Sequence, residues 1–204
     1  GDITGVSGQH IIVHNPVGIR AKRILLIGLG KKSALNRKRY ANFLDITAQV
    51  LNKYSLSDAL VTLPSLPVID TPADKLGQIL AQTFENSAYR YNLTKSKKGK
   101  KPTLKKVDLY LADKSQRRGV KKGLDIGSAV GKGMAVAREL GNLPANICTP
   151  SYFGEQAQAL AKRNKELKTR VLGEAQMRRL GMGSLLSGGH GSDEESKLVV
   201  MEYK

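Results

Sequence analysis

The stretch from Ala137 to Ser151, ARELGNLPANICTPS, constrains the fold more than any other part of the chain. It ends one helix, crosses a loop rich in Pro and Asn, and starts another helix. Gly141 opens that loop. Thr149 is placed to cap the second helix, with Pro150 at its first helical position, where a missing N–H costs nothing. The chain therefore has an upstream part and a downstream part joined through a helix. A length of 204 residues suits one large domain or two small ones.

Upstream, strands and helices alternate. Gln9 to Val13 is a short β-rich run, ended by Asn15-Pro16 and Gly18. Arg23 to Gly28 is a second, and its apolar residues are continuous rather than alternating. That pattern predicts a strand buried on both faces, as in the middle of an α/β sheet. Asn36 to Tyr54 reads as a helix with Tyr40, Phe43, Leu44, Thr47, Val50 and Leu51 on one stripe. Ala59 to Leu63 is a strand, with Pro64 and Pro67 as its stop. Pro72 opens a helix that carries Leu76, Ile79, Leu80, Thr83 and Phe84 inward. Thr94 to Lys106 is an exposed loop or hairpin, and Val107 to Leu111 a strand. Gln116 to Leu140 is helical in spite of Gly119, Gly123, Gly127, Gly131 and Gly133. Such glycines either allow close helix approach or mark irregularity.

Downstream, a helix runs from Pro150 to about Asn164. Thr169 to Leu172 is a short strand, Glu174 to Leu180 a short helix stopped by Gly181, and Met182 to Ser192 a Gly/Ser-rich loop. Lys197 to Tyr203 is an apolar strand. This alternation predicts the α/β class with parallel sheet segments.

Charge is the unusual bulk property. Lys and Arg number 34 against 17 Asp and Glu, for a net charge of +17. Such a field attracts nucleic acid, anionic membrane surfaces or acidic proteins. A solvated basic surface, balanced by acidic sequence outside this chain, is the favoured account. Lys95, Lys97, Lys98, Lys100, Lys101, Lys105 and Lys106 form one cluster with no acid among them. They are the candidate polyanion-binding residues, and their contacts with phosphates would be strongly salt-dependent. No aromatic residue interleaves them, so base stacking is not expected. No stretch approaches the roughly 18 apolar residues of a membrane helix, and the N-terminus is neither a signal peptide nor a presequence. The lone Cys148 fits a reducing compartment, so a cytoplasmic protein with no membrane partner is expected. The lack of an initiating Met points to a fragment or a processed chain.

Other motifs favour structural readings. Gly28-Leu29-Gly30 follows a strand, but Ser33 opens no helix directly and no acidic residue closes a second strand at the right distance. His10 and His14 share a strand face but stand roughly 13 Å apart, too far for one tetrahedral zinc. His190 sits in a Gly-rich loop. Cys148 has no evident His partner. Asp193-Glu194-Glu195 lacks calcium-loop spacing and reads as a solvated turn. No catalytic, cofactor-binding or metal-binding residue is therefore assigned.

Laid in order, these landmarks resemble the leucyl aminopeptidase family (cytosol aminopeptidases). The resemblance rests on GQHIIVHNPVGIRAKRILLIGLGKK at 8–32, on Tyr89-Arg90-Tyr91 before the Lys run, on AVARELGNLPANICTPSYFGEQAQALA at 135–161, and on VLGEAQMRRLGMGSLLSGGHGSDEESKLVVMEY at 171–203. The segment after 135 is the most specific part. The resemblance implies a partial macro-domain-like α/β domain at 1–114, a linking helix at 115–141 and the start of a catalytic α/β domain at 142–204. It also implies a cytosolic homo-hexamer that uses two divalent metal ions, zinc or manganese, to release N-terminal residues from peptides. The family's metal-ligand loops have no counterpart in residues 1–204. Its Val-Gly-Lys-Gly loop follows a strand and leads into Thr-Phe-Asp, whereas Val130-Gly131-Lys132-Gly133 lies in a helix and leads into Met134-Ala135-Val136. Lys132 is given no metal role. The chain itself is expected to bind no metal and to hydrolyse nothing, starting partway into the first domain and stopping as the catalytic sheet begins. Some bacterial members of the family it resembles serve as DNA-binding architectural or regulatory proteins, which makes a basic DNA-binding module the alternative, with non-specific DNA as partner. ADP-ribose recognition, by analogy with macro domains, ranks third because no nucleotide loop is evident.

Overall fold

One helix organises the first half of the chain. Helix α1 (Arg37–Lys53) buries Tyr40, Phe43, Leu44, Thr47, Ala48, Val50 and Leu51, the three- and four-residue spacing of a stripe that must be covered. Asn36 caps it by accepting the Arg39 N–H at 3.1 Å. Tyr40 and Phe43 meet edge to face with centroids 5.3 Å apart. The Tyr40 hydroxyl donates to the Leu76 carbonyl at 3.1 Å, and burial pushes its pKa up. The phenol therefore keeps the proton that this bond needs.

The computed structural model describes residues 1–63 and 68–204. Strands β1 (His10–His14) and β2 (Arg23–Ile27) form an antiparallel pair from His10↔Ile27 to His14↔Arg23. Strands β3 (Asp58–Leu63) and β4 (Lys106–Leu111) pair in parallel, with helix α2 (Ala73–Ala88) in the crossover between them. The core of this region gathers Leu35, Tyr40, Phe43, Leu44, Val61, Val68, Leu76 and Leu80. The predicted stop at Pro64 and Pro67 lies outside the described residues.

Strand β2 departs from expectation. Its apolar run predicts burial on both faces, yet Leu26 is 44% exposed and no residue of the strand is fully buried. The reason is topological: among the described residues β2 hydrogen-bonds only to β1, so it lies at the edge of a two-stranded sheet instead of inside a wider one. The class remains mixed α/β, with one parallel pair and two antiparallel pairs among the described residues.

Helix α3 (Arg117–Asn142) runs unbroken through its glycines, and close approach is their role. A Cβ on Gly123 would overlap the Asp74 carbonyl oxygen, one on Gly127 the Gln78 carbonyl oxygen, and one on Gly77 of α2 the Val120 carbonyl oxygen. Helices α2 and α3 thus touch backbone to backbone. Gly133, in contrast, has open space around it. The chain divides into two compact units, Gly1–Ala137 and Arg138–Lys204.

In the second unit, helix α4 (Pro150–Arg163) begins as expected, with the Thr149 side chain accepting the Tyr152 N–H at 3.2 Å. Strands β5 (Leu167–Leu172) and β6 (Leu198–Tyr203) pair antiparallel from Leu167↔Tyr203 to Leu172↔Leu198. Helix α4 lies on β5, with Gly154 against Val171 and the Thr169 hydroxyl donating to the Ala157 carbonyl at 3.4 Å. Between the strands come helices α5 (Glu174–Arg179) and α6 (Gly183–Ser187). The Gly/Ser-rich stretch predicts no helix there, so α6 is a correction. Met177 and Leu186, both buried, give the two short helices an inner side.

The acidic triple is also more than a solvated turn. Glu195 Oε1 accepts the Glu174 N–H at 3.0 Å, while Glu174 Oε1 accepts the Ser196 N–H at 2.9 Å. Lys197 Nζ donates to Glu195 Oε2 at 2.5 Å. This reciprocal clasp ties the start of α5 to the segment before β6. Hydrogen bonds from Ser196 hold the Glu174 carboxyl below its ordinary range, and the bond from Lys197 does the same for Glu195.

Two predictions follow from these contacts. Gly123→Ala should destabilise the chain by about 1–3 kcal/mol or more, because two backbones must separate. Gly133→Ala should stabilise it by about 0.8–1 kcal/mol through helix propensity. Urea unfolding of both variants checks the pair, and equal effects would contradict the assigned packing. For the clasp, folded-state carboxyl pKa values below the unfolded values mean that its contribution is complete above the ordinary carboxylate range and is lost as pH falls through the folded values. Lowering the pH from about 5 to about 3 should therefore reduce the protection factors of the Glu174 and Ser196 amides, each exchange rate being divided by the intrinsic rate at that pH. The double variant Glu174→Gln, Glu195→Gln should show a weaker pH dependence, and identical profiles would reject the linkage.

Candidate functional site

The seven lysines named above lie on the return leg of the β3–α2–β4 crossover. Because β3 and β4 are parallel, the chain must travel back from the end of α2 to the start of β4, and residues 89–105 make that journey without helix or strand. With no strand between 89 and 105, the segment is the loop and not the hairpin of the two expected forms. The loop is tied down locally. Arg90 Nη1 donates to the Ser87 and Tyr89 carbonyls at 2.8 and 2.7 Å, Gly99 N–H to Asn92 Oδ1 at 3.0 Å, and Lys105 N–H to the Ser57 carbonyl at 2.8 Å.

The lysines are not equivalent. All seven are exposed. Lys106 belongs to β4, and its ammonium lies 2.7 Å from Asp108 Oδ2 on the same strand face. That hydrogen bond and its charge attraction raise the Lys106 pKa. Its charge is thereby matched locally, and it adds little to a field aimed at a polyanion. Lys95, Lys97, Lys98, Lys100, Lys101 and Lys105 are in no ion pair among the described residues. What the loop presents is thus six uncompensated ammonium groups on an irregular backbone, able to contact phosphates but with no fixed geometry for a base edge.

The other singled-out residues are not brought together. Gly28 and Gly30 end β2, and their N–H groups are engaged: Gly28 donates to the Gln9 carbonyl at 2.7 Å and Gly30 to the Gly5 carbonyl at 2.9 Å. Neither glycine amide is free to meet a phosphate there. His10 approaches the Gly8 carbonyl at 3.5 Å, while the His14 ring tilts against Tyr54 at 6.4 Å. His190 is exposed and Cys148 half-buried. Val130-Gly131-Lys132-Gly133 lies inside α3, with Gly131 packed against the Glu85 side chain. Among the described residues, no three His, Cys, Asp or Glu side chains converge as a metal site would require. Among them, too, no helix is long and apolar enough to cross a membrane.

Comparison with known proteins gives a consistent result. A model of the cytosol aminopeptidase family's N-terminal domain matches residues 1–98, and one of the same family's catalytic domain matches residues 135–204. The cytosol aminopeptidase of Pseudomonas aeruginosa is 37% identical over 203 residues, covering 100% of this chain and 41% of its own length. A probable cytosol aminopeptidase of Saccharophagus degradans is 44% identical over 210 residues, covering 99% of this chain and 42% of its own. Among solved structures, tomato leucine aminopeptidase shares the fold with a TM-score of 0.78 at 24% identity, over 100% of this chain and 39% of that one. The bottromycin maturation enzyme BotP, in complex with Mn, gives a TM-score of 0.79 at 23% identity, over 99% of this chain and 40% of that one. This chain spans about two-fifths of the length of the relatives it matches. With two domains of one family matched in order and identity sustained along the whole chain, it belongs to the cytosol aminopeptidase family.

Proposed function

We propose that this chain is part of a two-metal aminopeptidase that releases N-terminal residues from peptides. The observation that carries the reading is the ordered match to both domains of one family. In this reading residues 1–114 form the macro-like domain, 115–141 the linking helix and 142–204 the opening of the catalytic domain. The cytosol aminopeptidase names of the relatives support a cytoplasmic location and a peptide substrate. The Mn complex of a structural neighbour supports manganese as the metal, and zinc is the alternative that the family resemblance implies. A homo-hexamer belongs to the same reading.

The residues present do not fit a pair of divalent ions. The donors that would hold them, carboxylates above all, do not converge among the described residues, so no step of hydrolysis is assigned to residues 1–204. What this portion supplies is the framework: the α3 helix, the capped start of α4 and the β5–β6 pair. The purified chain, assayed with a Leu amide and added manganese or zinc, should show no metal-dependent turnover. Clear turnover would refute that part of the proposal. Joining residues 1–204 to the portion of the Pseudomonas aeruginosa relative beyond the match should produce a metal-dependent aminopeptidase. A folded, metal-loaded chimera without activity would count against the function itself.

The six uncompensated lysines favour a second role in contacting polyanions. If each meets one phosphate, duplex binding should fall with salt at a log–log slope of about −5. Replacing Lys95, Lys97, Lys98, Lys100, Lys101 and Lys105 by Ser should flatten that slope, whereas Lys106→Ser should change it little. Absence of binding at low salt removes this role.

A further inference from the structure

The contact between α2 and α3 changes character toward the end of α2. Gly123, Gly127 and Gly131 stand four residues apart on α3 and meet α2 with no side chain of their own. The next residue on that helical face is Met134, three positions on. Two side-chain amides of α2 converge on its sulfur: Gln82 Nε2 donates to Met134 Sδ at 3.3 Å, and Asn86 Nδ2 approaches it at 3.8 Å. A methionine that only fills a gap between helices is surrounded by apolar groups, and this sulfur is not. A thioether is also a weak acceptor. Asn86 is poorly matched in a second way, because its Oδ1 is buried and has no hydrogen-bond partner among the described residues. Two good donors are thus aimed at an atom that offers them little. The sulfur is not sealed off either: Met134 is half-buried, whereas Met177 is fully enclosed.

We propose that Met134 is an oxidation site that takes one oxygen atom from a hydroperoxide, and that Gln82 and Asn86 hold the resulting sulfoxide. A sulfur lone pair forms the S–O bond while the O–O bond of the peroxide breaks. Sulfur is oxidised by two electrons and the peroxide is reduced by two. The proton of the transferred oxygen passes to the departing one, which leaves as water or an alcohol. The oxygen that stays on sulfur carries partial negative charge and accepts hydrogen bonds far better than the thioether did. On the side of the sulfur that faces α2, it brings an acceptor within the roughly 2.7–3.2 Å of an N–H···O bond, which Asn86 at 3.8 Å does not reach with sulfur itself. Sulfoxide formation ordinarily makes an apolar side chain polar and disrupts the packing around it. Here the neighbours are already polar donors, so the same change strengthens the contact. Asn86 lies in the last turn of α2. The oxidised form therefore holds more firmly the point from which the basic loop leaves.

Treating the whole chain with hydrogen peroxide to partial conversion gives two readouts. Peptide mass mapping should find one added oxygen at Met134 well before any at the enclosed Met177. In an isotope-labelled sample, the side-chain amide protons of Gln82 and Asn86 should move downfield and exchange with solvent about fivefold more slowly, the factor that one net hydrogen bond carries. Met134→Leu, which keeps the volume and removes the sulfur, should leave both amides indifferent to peroxide. If that variant fails to fold, the unaltered chain decides alone. Across a series of peroxide doses, the shifted fraction of each amide signal should equal the fraction of Met134 oxidised, and shifts that track another methionine would overturn the proposal. Oxygen at Met134 accompanied by upfield, faster-exchanging amides would overturn it in favour of damage that breaks the contact. Oxidation of the other methionines with Met134 left unmodified rejects the site.

Discussion

Helices α2 and α3 meet with carbonyl oxygens where side chains would ordinarily stand, and the rest of the first unit is arranged around that contact. Gly77, Gly123 and Gly127 let the two helix backbones meet without an intervening side chain. Ser128 and Glu85 extend the contact with a hydrogen bond of 2.7 Å. With that side of α2 fixed, Leu76 and Leu80 are directed into the core shared with α1. The Leu76 carbonyl is placed to accept from Tyr40. The end of α2 then determines where the basic loop departs, and the parallel pairing of β4 with β3 determines where it must arrive.

Local chemistry was legible in the sequence wherever a short window contains both the signal and its partner. The α1 stripe, the Thr149 cap and the positions of the strands among the described residues are of this kind. Periodicity and caps act over one or two helical turns, and the relevant atoms are neighbours in the chain. Pairing was not legible in the same way. Nothing within RILLIG states whether one neighbour or two will flank it, so a continuous apolar run predicted a buried strand where the structure has an open edge. The α3 glycines carried two readings until their counterparts on α2 were known. Helix α6 escaped notice because five residues rich in Ser, next to three glycines, hold no helical period of their own.

The candidate site divides in the same way. The lysine cluster was evident from composition, as was the absence of a nucleotide loop at Gly28-Leu29-Gly30. The neutralisation of Lys106 by Asp108 could have been found, since residues two apart on a strand share a face. The clasp between Glu174 and Glu195 could not, because its two acids stand far apart in sequence and meet only when β6 folds back along β5. The family assignment drew on information of another sort, the order of many weakly informative segments. That order identifies a relationship without locating any chemistry in this portion of it.

The β3–β4 ladder bears on how the chain acquires its structure. Asp58 is matched with Lys106, 48 residues further along, whereas His14 and Arg23 in the β1–β2 pair are only nine apart. A nascent β3 must therefore wait while α2 and the whole cationic stretch are synthesised, with its hydrogen-bonding groups uncovered throughout. Contacts of such high sequence separation form late and slowly. For that interval, an unsatisfied apolar strand is the point at which the growing polypeptide is most open to misassociation. The lysines that follow it give the immature chain a like-charge repulsion between molecules, a colloidal safeguard operating before the native state exists.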